Sequence, residues 1–494
     1  MTDSKDAAPT EVTQALTRRS LREPEKKKKK SSPLAGISAL VRKHPTAWLV
    51  SASAVAFMLL GTGAVFAGVA AGSGPSAAEP VPTETADPRR QPEVIPLASR
   101  VRTCSVAGIL ADGRLSDFSG YVVNANTGEV LLDRNGTVAQ RTGSVLKVLT
   151  AAAALKILGS GVQLTTQVID GSNPGVIVLK GGGDPTLATT TSSVYAGAPQ
   201  ISALAEAAMA KYEELHPGVP ITEIVLDSTM WDPADNWDSS WLRKEQTDGY
   251  QAQVTALMVD GGRANPSANV SSRSTDPVGD AGRAFAQAAG LFGVTFTSGA
   301  AVGSTVLASV NSQPISTLIN QMLISSDNVL AENLARVVSK TMGFNGSSTS
   351  LDQAIPGALV EYGLDTSELY IRDGSGLSDL NAVSPQFVTA LMIKIRADEQ
   401  GLGLIYSALP VSGQSGTLAS RFNGPNEIAT GAVVAKTGWL DTSYSLAGIV
   451  NAADGTPLSF AFYSIREAIT EDAKEAQDTL ATGLFTCGDN LSNN

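Results

Sequence analysis

Three short strings occur in this chain in a fixed order, Ser144-Val145-Leu146-Lys147, Ser326-Asp327-Asn328 and Lys436-Thr437-Gly438. Together they can supply a serine nucleophile, a lysine amine as base and a strand that binds a carboxylate, without any histidine. The chain has two histidines, His44 and His216, and His44 lies at the edge of a long apolar run. The sequence therefore favours a serine–lysine enzyme over a Ser-His-Asp hydrolase.

The first hundred residues divide into three stretches of different composition. Residues 1–45 are basic, and residues 46–71 carry no charged side chain. At about 1.5 Å per helical residue, this apolar run can cross the ~30 Å hydrocarbon core of a bilayer. Residues 72–99 are rich in Pro, Ala, Ser and Thr, which is typical of an extended linker.

The distribution of charge predicts how the chain is oriented. Residues 1–45 hold 11 Lys/Arg and 5 Asp/Glu, whereas the remainder holds 25 Lys/Arg and 42 Asp/Glu. The positive-inside rule then predicts a cytoplasmic tail, a single membrane anchor and an exported body. A cleaved signal peptide, which would give a secreted protein, is the alternative. The acidic body argues against nucleic acid as a partner.

The two cysteines, Cys104 and Cys487, lie just inside the two ends of the exported region. A disulfide is permitted outside the cytoplasm, and this one would join the two ends of the folded body. Two buried free thiols are the alternative.

The exported body is predicted to be α+β. Apolar runs beside turn residues indicate strands at both of its ends, over 120–124, 129–133, 432–437, 444–450 and 458–464. Helices are predicted after Ser144, near 201–215 and over 467–480. We expect residues 100–175 and 306–494 to form one domain whose sheet is assembled from both ends, with residues 176–305 as an inserted domain.

The spacing of Ser144 and Lys147 places both side chains on one face of a helix start. The helix N-terminus favours negative charge on the seryl oxygen. Lysine is a poor base at its usual pKa near 10.4, so burial and a second cation, Lys436, are expected to lower the pKa of Lys147.

The other two strings are assigned by context. Ser267-Ala268-Asn269 and Ser309-Val310-Asn311 also fit the pattern S-x-N, but Ser326 lies between two apolar-periodic segments, on a short link that can project its hydroxyl into a cleft. Lys436 and Thr437 end a strand, where they can grip a carboxylate, and Gly438 allows close backbone approach. No metal site or cofactor is predicted, because the cysteines and histidines are few and distant.

These strings, with GGGDPTL at 181–187, DGSGLS at 373–378 and LPVSGQSGTL at 409–418, make residues 100–487 resemble the low-molecular-mass class C penicillin-binding proteins. That family comprises D-alanyl-D-alanine carboxypeptidases and endopeptidases. The resemblance implies a β-lactamase/transpeptidase-like domain, with an antiparallel sheet packed against a helical subdomain and the site between them. It also implies peptidoglycan stem peptides ending in D-Ala-D-Ala as substrates, and β-lactams as covalent inhibitors.

The resemblance implies a role for each motif residue. Ser144 is expected to be the acylated nucleophile, Lys147 its general base, and Ser326 the relay of a proton to the leaving D-alanine. Asn328 is expected to orient Lys147 and the substrate.

On the strand, Lys436 and Thr437 are expected to hold the terminal carboxylate, while the backbone N–H groups of Ser144 and Trp439 form an oxyanion hole. Two residues depart from the family pattern. Ile324 stands where relatives often have Lys, and Trp439 stands where Ser or Thr commonly follows K-T-G. A fast β-lactam hydrolase and a catalytically silent penicillin-binding scaffold or sensor are the alternative functions.

Overall fold

The computed structural model describes residues 101–492. The predicted tail at 1–45, anchor at 46–71 and linker at 72–99 lie outside these residues. Within the described range, none of the helices is both long and apolar enough to cross a membrane.

The described residues form an α+β structure with two five-stranded sheets. Its strands are β1 (Asp117–Asn124), β2 (Val130–Arg134), β3 (Thr165–Asp170), β4 (Val176–Lys180), β5 (Glu223–Asp227), β6 (Thr295–Ser298), β7 (Val306–Asn311), β8 (Val433–Leu440), β9 (Ser443–Asn451) and β10 (Pro457–Ile465). Its helices are α1 (Ala107–Leu110), α2 (Lys147–Ile157), α3 (Ile201–Leu215), α4 (Lys244–Thr247), α5 (Pro277–Ala288), α6 (Ile315–Ser325), α7 (Asn328–Thr341), α8 (Leu351–Val360), α9 (Pro385–Arg396), α10 (Gly403–Ala408) and α11 (Asp472–Cys487).

The first sheet has the order β2-β1-β10-β9-β8, and every neighbouring pair in it is antiparallel. The predicted strands at both ends of the body therefore share one sheet. The β9–β10 hairpin turns at Asp454 and Gly455, where Gly455 has a φ of +84° that suits glycine and the Asp454 carboxylate accepts the Thr456 N–H at 2.9 Å. The last helix begins at Asp472, five residues after its predicted start, and continues to Cys487.

The first sheet separates two apolar cores. One face packs against α1 and α11 around Phe118, Phe460 and Leu480. The other face contributes to a larger core with α2, α6, α7, α8 and α9. Helix α2 lies inside that core, with every side chain from Lys147 to Ala154 buried, and its run of alanines combines high helix propensity with close packing on all sides.

The second sheet, in the order β6-β5-β4-β3-β7, is mixed. It has its own core with α3 and α5, around Leu204, Phe285 and Leu226. Strands β3 and β7 lie on either side of the limits 176–305 predicted for the inserted domain, and the domain division stays a prediction.

Cys104 and Cys487 form a disulfide, with their Cα atoms 5.4 Å apart, which confirms the predicted pairing. The backbone continues the link, since Cys104 N–H donates to the Asn490 carbonyl at 3.1 Å and Ser492 N–H donates to the Cys104 carbonyl at 2.8 Å. The two ends of the described body are therefore held together covalently and by hydrogen bonds.

Candidate active site

Ser144 lies in a 3-10 turn, Gly143–Leu146, that runs directly into α2. Gly143 has a φ of +50°, and a Cβ atom on it would lie 2.9 Å from the Trp439 backbone nitrogen, so only glycine lets this turn press against β8. Gly438 faces the turn from the other side, where an added Cβ would lie 2.9 Å from the Ser144 nitrogen. The amides predicted to form the oxyanion hole therefore lie on two closely packed segments.

Lys147 is fully buried, and its Nζ donates three hydrogen bonds. The acceptors are Ser144 Oγ at 2.8 Å, Asn328 Oδ1 at 2.6 Å and the Ser375 carbonyl at 2.8 Å. Two of the predicted motifs therefore meet at this one amine.

Burial lowers the pKa of Lys147 to about 8, although the carboxylates of Asp373, Glu332 and Asp327 oppose that shift. We expect Lys436 to contribute to this shift as well, because the repulsion between two amines disfavours the charged form of each. Burial first, and then the nearby Lys147 cation, hold the pKa of Lys436 well below its usual value.

Ser326 ends α6 in the left-handed conformation, with φ 59° and ψ 41°. Asp327 then caps α7, because its carboxylate accepts the Leu330 N–H at 3.1 Å. Asn328 is the first residue of α7 and is buried. The predicted link between two helices is present, and it presents Ser326 and Asn328 to the two lysines.

Lys436 lies on β8, the edge strand of the first sheet, and is fully buried. Its Nζ donates to Ser326 Oγ and to the Thr437 carbonyl, both at 2.9 Å. The Thr437 hydroxyl lies 2.8 Å from the Thr417 hydroxyl. Trp439, two residues further along the strand, is 46% exposed, and its ring meets that of Tyr250 edge-on with the centroids 6.2 Å apart.

These residues open onto a cleft of about 680 Å³, lined by all three motifs and by Trp439 and Tyr250. His216 is not among the lining residues and instead pairs with Asp170 at 2.9 Å. Among residues 101–492, no three His, Cys, Asp or Glu side chains group closely enough to hold a metal ion.

Sequence reasoning missed Glu332 and the Ser375 turn, which support Lys147. Glu332 accepts the N–H groups of Gly374 and Ser375, and this fixes the turn whose Ser375 carbonyl accepts from Lys147. Burial, with the Asp373 carboxylate nearby, raises the pKa of Glu332. The string 373–378 is part of the family resemblance, but the sequence does not show that a backbone carbonyl within it binds the amine of Lys147.

The family model of the D-Ala-D-Ala carboxypeptidase 3 (S13) family matches residues 103–272 and 263–484. Carboxypeptidase DacB of Mycolicibacterium smegmatis is 34% identical over 475 residues, covering 90% of this chain and 99% of that protein. The D-alanyl-D-alanine carboxypeptidase of Actinomadura sp. (strain R39) is 28% identical, covering 74% of this chain and 80% of that protein.

Among solved structures, penicillin binding protein 4 (dacB) from Haemophilus influenzae superimposes with a TM-score of 0.62 at 19% identity. The match covers 75% of this chain and 96% of that one. At this identity the likeness shows the shared fold.

Proposed function

This chain belongs to the D-Ala-D-Ala carboxypeptidase 3 (S13) family and is a serine-type D-alanyl-D-alanine carboxypeptidase, for which we propose the following assignment of roles. Ser144 is the nucleophile and Lys147 is its general base. The observation that carries this assignment is the 2.8 Å hydrogen bond between Ser144 Oγ and a fully buried lysine amine.

Acylation begins when neutral Lys147 takes the proton of Ser144 Oγ. The seryl oxygen then attacks the carbonyl carbon between the two D-alanines, and negative charge develops on the carbonyl oxygen. The N–H groups of Ser144 and Trp439 are placed to stabilise that charge, since backbone donors fixed in advance cost no reorganisation. Asn328 and the Ser375 carbonyl hold Lys147 in place for this step.

The leaving D-alanine needs a proton on its nitrogen before the C–N bond can break. Ser326 donates this proton, and Lys436, whose Nζ is 2.9 Å from Ser326 Oγ, returns one to the hydroxyl. The two lysines together gain one proton from Ser144 and lose one to the leaving nitrogen, so the step balances. Water then hydrolyses the ester on Ser144.

The terminal carboxylate of the substrate binds at β8, between Lys436 and the paired hydroxyls of Thr437 and Thr417. Placing a carboxylate beside Lys436 favours the charged form of that amine. A protonated Lys436 in turn disfavours a second positive charge on Lys147. Substrate binding therefore helps to keep Lys147 neutral and ready to act as base.

The substrates are peptidoglycan stem peptides ending in D-Ala-D-Ala, and β-lactams acylate Ser144 because a lactam with its carboxylate mimics that end. The Haemophilus influenzae protein has also been solved in complex with a novel β-lactam. The residues that would contact such a ligand here, including Ser144, Asn328 and Thr437, line one cleft.

Three measurements on the full chain test the activity and these roles. Release of D-alanine from a peptide ending in D-Ala-D-Ala tests the carboxypeptidase activity. Chromatographic separation of the products of a cross-linked stem-peptide dimer tests for endopeptidase cleavage, which yields two monomeric stem peptides and no free D-alanine. Intact mass after incubation with penicillin, followed by peptide mapping, tests the nucleophile. We expect one penicilloyl group on Ser144, and labelling that survives Ser144→Ala would rule this assignment out.

The N-terminal segment is assigned by its composition. An uncleaved anchor at residues 46–71 would hold the enzyme at the outer face of the cell membrane, beside its peptidoglycan substrate. The N-terminus of protein from native cells tests this, because cleavage near residues 72–80 would establish secretion instead.

A further inference from the structure

Asp327 is the one residue of the S-D-N string without a part in the chemistry above, and its carboxylate is the centre of a buried network. Its second oxygen accepts hydrogen bonds from Arg263 Nη2 at 2.7 Å and from the Tyr195 hydroxyl at 2.8 Å. The side chains of Arg263 and Asp327 are each 2% exposed. These two hydrogen bonds, one of them from a guanidinium, hold the carboxylate in position.

Arg263 and Tyr195 also bind each other. Arg263 Nη1 donates to the Tyr195 hydroxyl at 2.7 Å, and the guanidinium lies 4.8 Å from the centre of the Tyr195 ring. A second buried arginine, Arg273, is tied to the Gly261 and Gly249 carbonyls at 2.7 and 2.8 Å. We call Tyr195, Arg263 and Asp327 the Asp327 network.

Gly261 is packed directly against this network. It has a φ of +59°, and a Cβ atom on it would lie 2.5 Å from the Tyr195 hydroxyl and 2.6 Å from Arg263 Nη1. Any side chain at this position would therefore displace both partners of Asp327.

Ser326 and Asn328 flank Asp327 but depend on it to different degrees. Asn328 is the first residue of α7, a helix whose first twelve residues are all buried, so core packing holds it. Ser326 is half-buried, adopts a left-handed conformation that is uncommon for serine, and is connected to α7 through Asp327. Movement of Asp327 would shift the Ser326 hydroxyl more than the Asn328 amide.

We propose that Arg263 and Tyr195 are positioning residues that hold the Ser326 hydroxyl, through Asp327, in the place from which it protonates the leaving amine. This inference rests on the proposed role of Ser326 as the proton relay. It assigns a part in catalysis to residues of the chain between β4 and β6, which carry none of the three motifs.

The test uses two substrates that differ in their leaving group. A peptide ending in D-Ala-D-Ala loses an amine that must be protonated as the C–N bond breaks. The matching thioester loses a thiolate, which leaves without a proton because thiols are far more acidic. A damaged relay therefore lowers the turnover of the peptide and not that of the thioester. A general loss of folded enzyme lowers the turnover of both equally.

Gly261→Ala is the main variant, and Gly290→Ala is its matched control. Gly290 has a similar φ of +68°, but nothing lies within 4 Å of its added Cβ. We expect Gly261→Ala to lower kcat for the peptide by about 10- to 100-fold and for the thioester by less than about threefold. Gly290→Ala should change both substrates by the same small factor.

Tyr195→Phe provides a milder variant in case Gly261→Ala does not fold, since it removes one hydroxyl and keeps the ring beneath Arg263. A drop of about 3- to 10-fold is expected for the peptide alone. Asp235→Asn supplies a second control, because Asp235 pairs at 2.8 Å with Arg336 on the same helix α7, away from Ser326. Asp235→Asn should lower the turnover of both substrates by the same factor, or leave both unchanged.

Ser326→Ala distinguishes the proton-relay role of Ser326 from the positioning role of Arg263 and Tyr195. A selective loss of peptide turnover in Ser326→Ala, with equal losses on both substrates in Gly261→Ala and Tyr195→Phe, would overturn the positioning role and leave the relay intact. Equal losses in Ser326→Ala itself would show instead that the relay has been misassigned.

Discussion

Two regions contribute to the same site in different ways. The first region is the first sheet with its helices, and the second is the chain from 165 to 311. In the first region, the motif residues bind one another directly, as Lys147 does to Ser144 and Asn328. In the second, the chain forms its own sheet and core, and two residues outside that core, Tyr195 and Arg263, bind Asp327. The residues that we propose to react are therefore recognisable as short sequence motifs, whereas those that we propose to position them lie far away in the sequence and belong to no motif.

The two regions share the larger apolar core. Trp231, Trp241 and Val254 lie between β5 and β6, but they pack in the large core around α2 and α7. Trp241 also donates from its indole to the Asp373 carboxylate at 2.9 Å, beside the turn that supports Lys147. The middle of the chain thus contributes part of the structure that holds the site.

Lys147→Ala should have the largest effect, because it removes the base that we propose in the first region. Turnover of D-Ala-D-Ala peptides and acylation by penicillin should each fall by about 10³-fold or more. Stopped-flow acylation and D-alanine release measure this, with the thermal midpoint as a check of folding. Retained acylation would mean that the base lies elsewhere, and the contrast between the two regions would fail.

The pH dependence should follow the same lysine. As the proposed base, Lys147 must be neutral to act, and its pKa is about 8, so acylation should rise with pH through that value and level off above it. Between pH 6 and pH 9 we expect an increase of about 50- to 100-fold in the acylation rate. A rate that falls with rising pH over this range would contradict a neutral lysine base.

Lys436→Ala should weaken recognition of the carboxylate more than it alters the nucleophile. The loss of one charge-assisted contact predicts a decrease of about 10- to 100-fold in kcat/KM for peptides with a free terminal carboxylate. A peptide with an amidated C-terminus is the control: it should lose less, because it lacks the carboxylate contact and depends on Lys436 only as the source of the proton returned to Ser326. Equal losses on both peptides would indicate that Lys436 acts mainly on the proton relay.

Those features of the fold and the site that are determined by a few neighbouring residues could be predicted from the sequence. The strand with Lys436, the helix after Ser144 and the link at Ser326 could be predicted because propensity, apolar periodicity and short motifs act over a few residues. The pairing of Cys104 with Cys487 followed from assembling one sheet from both ends.

The support of the site could not be predicted because it depends on tertiary contact. The Ser375 carbonyl reaches Lys147 through a turn held by Glu332, and Asp327 meets Arg263 across a large sequence separation. A sequence does not show which group a backbone carbonyl binds. A single arginine or tyrosine far from a motif is usually a surface or core residue.

Removing the disulfide should lower stability while leaving the chemistry intact. Cys104 and Cys487 are 383 residues apart and lie away from the cleft lining, so Cys104→Ala with Cys487→Ala should cost about 2–5 kcal/mol in the free energy of unfolding. Denaturant unfolding measures this, and the penicillin acylation rate of the folded fraction should not change. A slower acylation rate would mean that the ends of the body help to shape the site.

His216→Ala should have the smallest effect, and it tests the second region most directly. His216 is the one histidine within residues 101–492, and it ends α3, where its ring lies 4.7 Å from that of Tyr212. Its partner is Asp170, and because the pair is partly exposed it should contribute no more than about 1 kcal/mol to stability. Peptide turnover and penicillin acylation should both stay within about twofold of the parent, and Asp170→Asn should behave in the same way. If His216→Ala removed activity while Asp170→Asn did not, a histidine would be acting in the chemistry, and the second region would supply a reacting group rather than positioning alone.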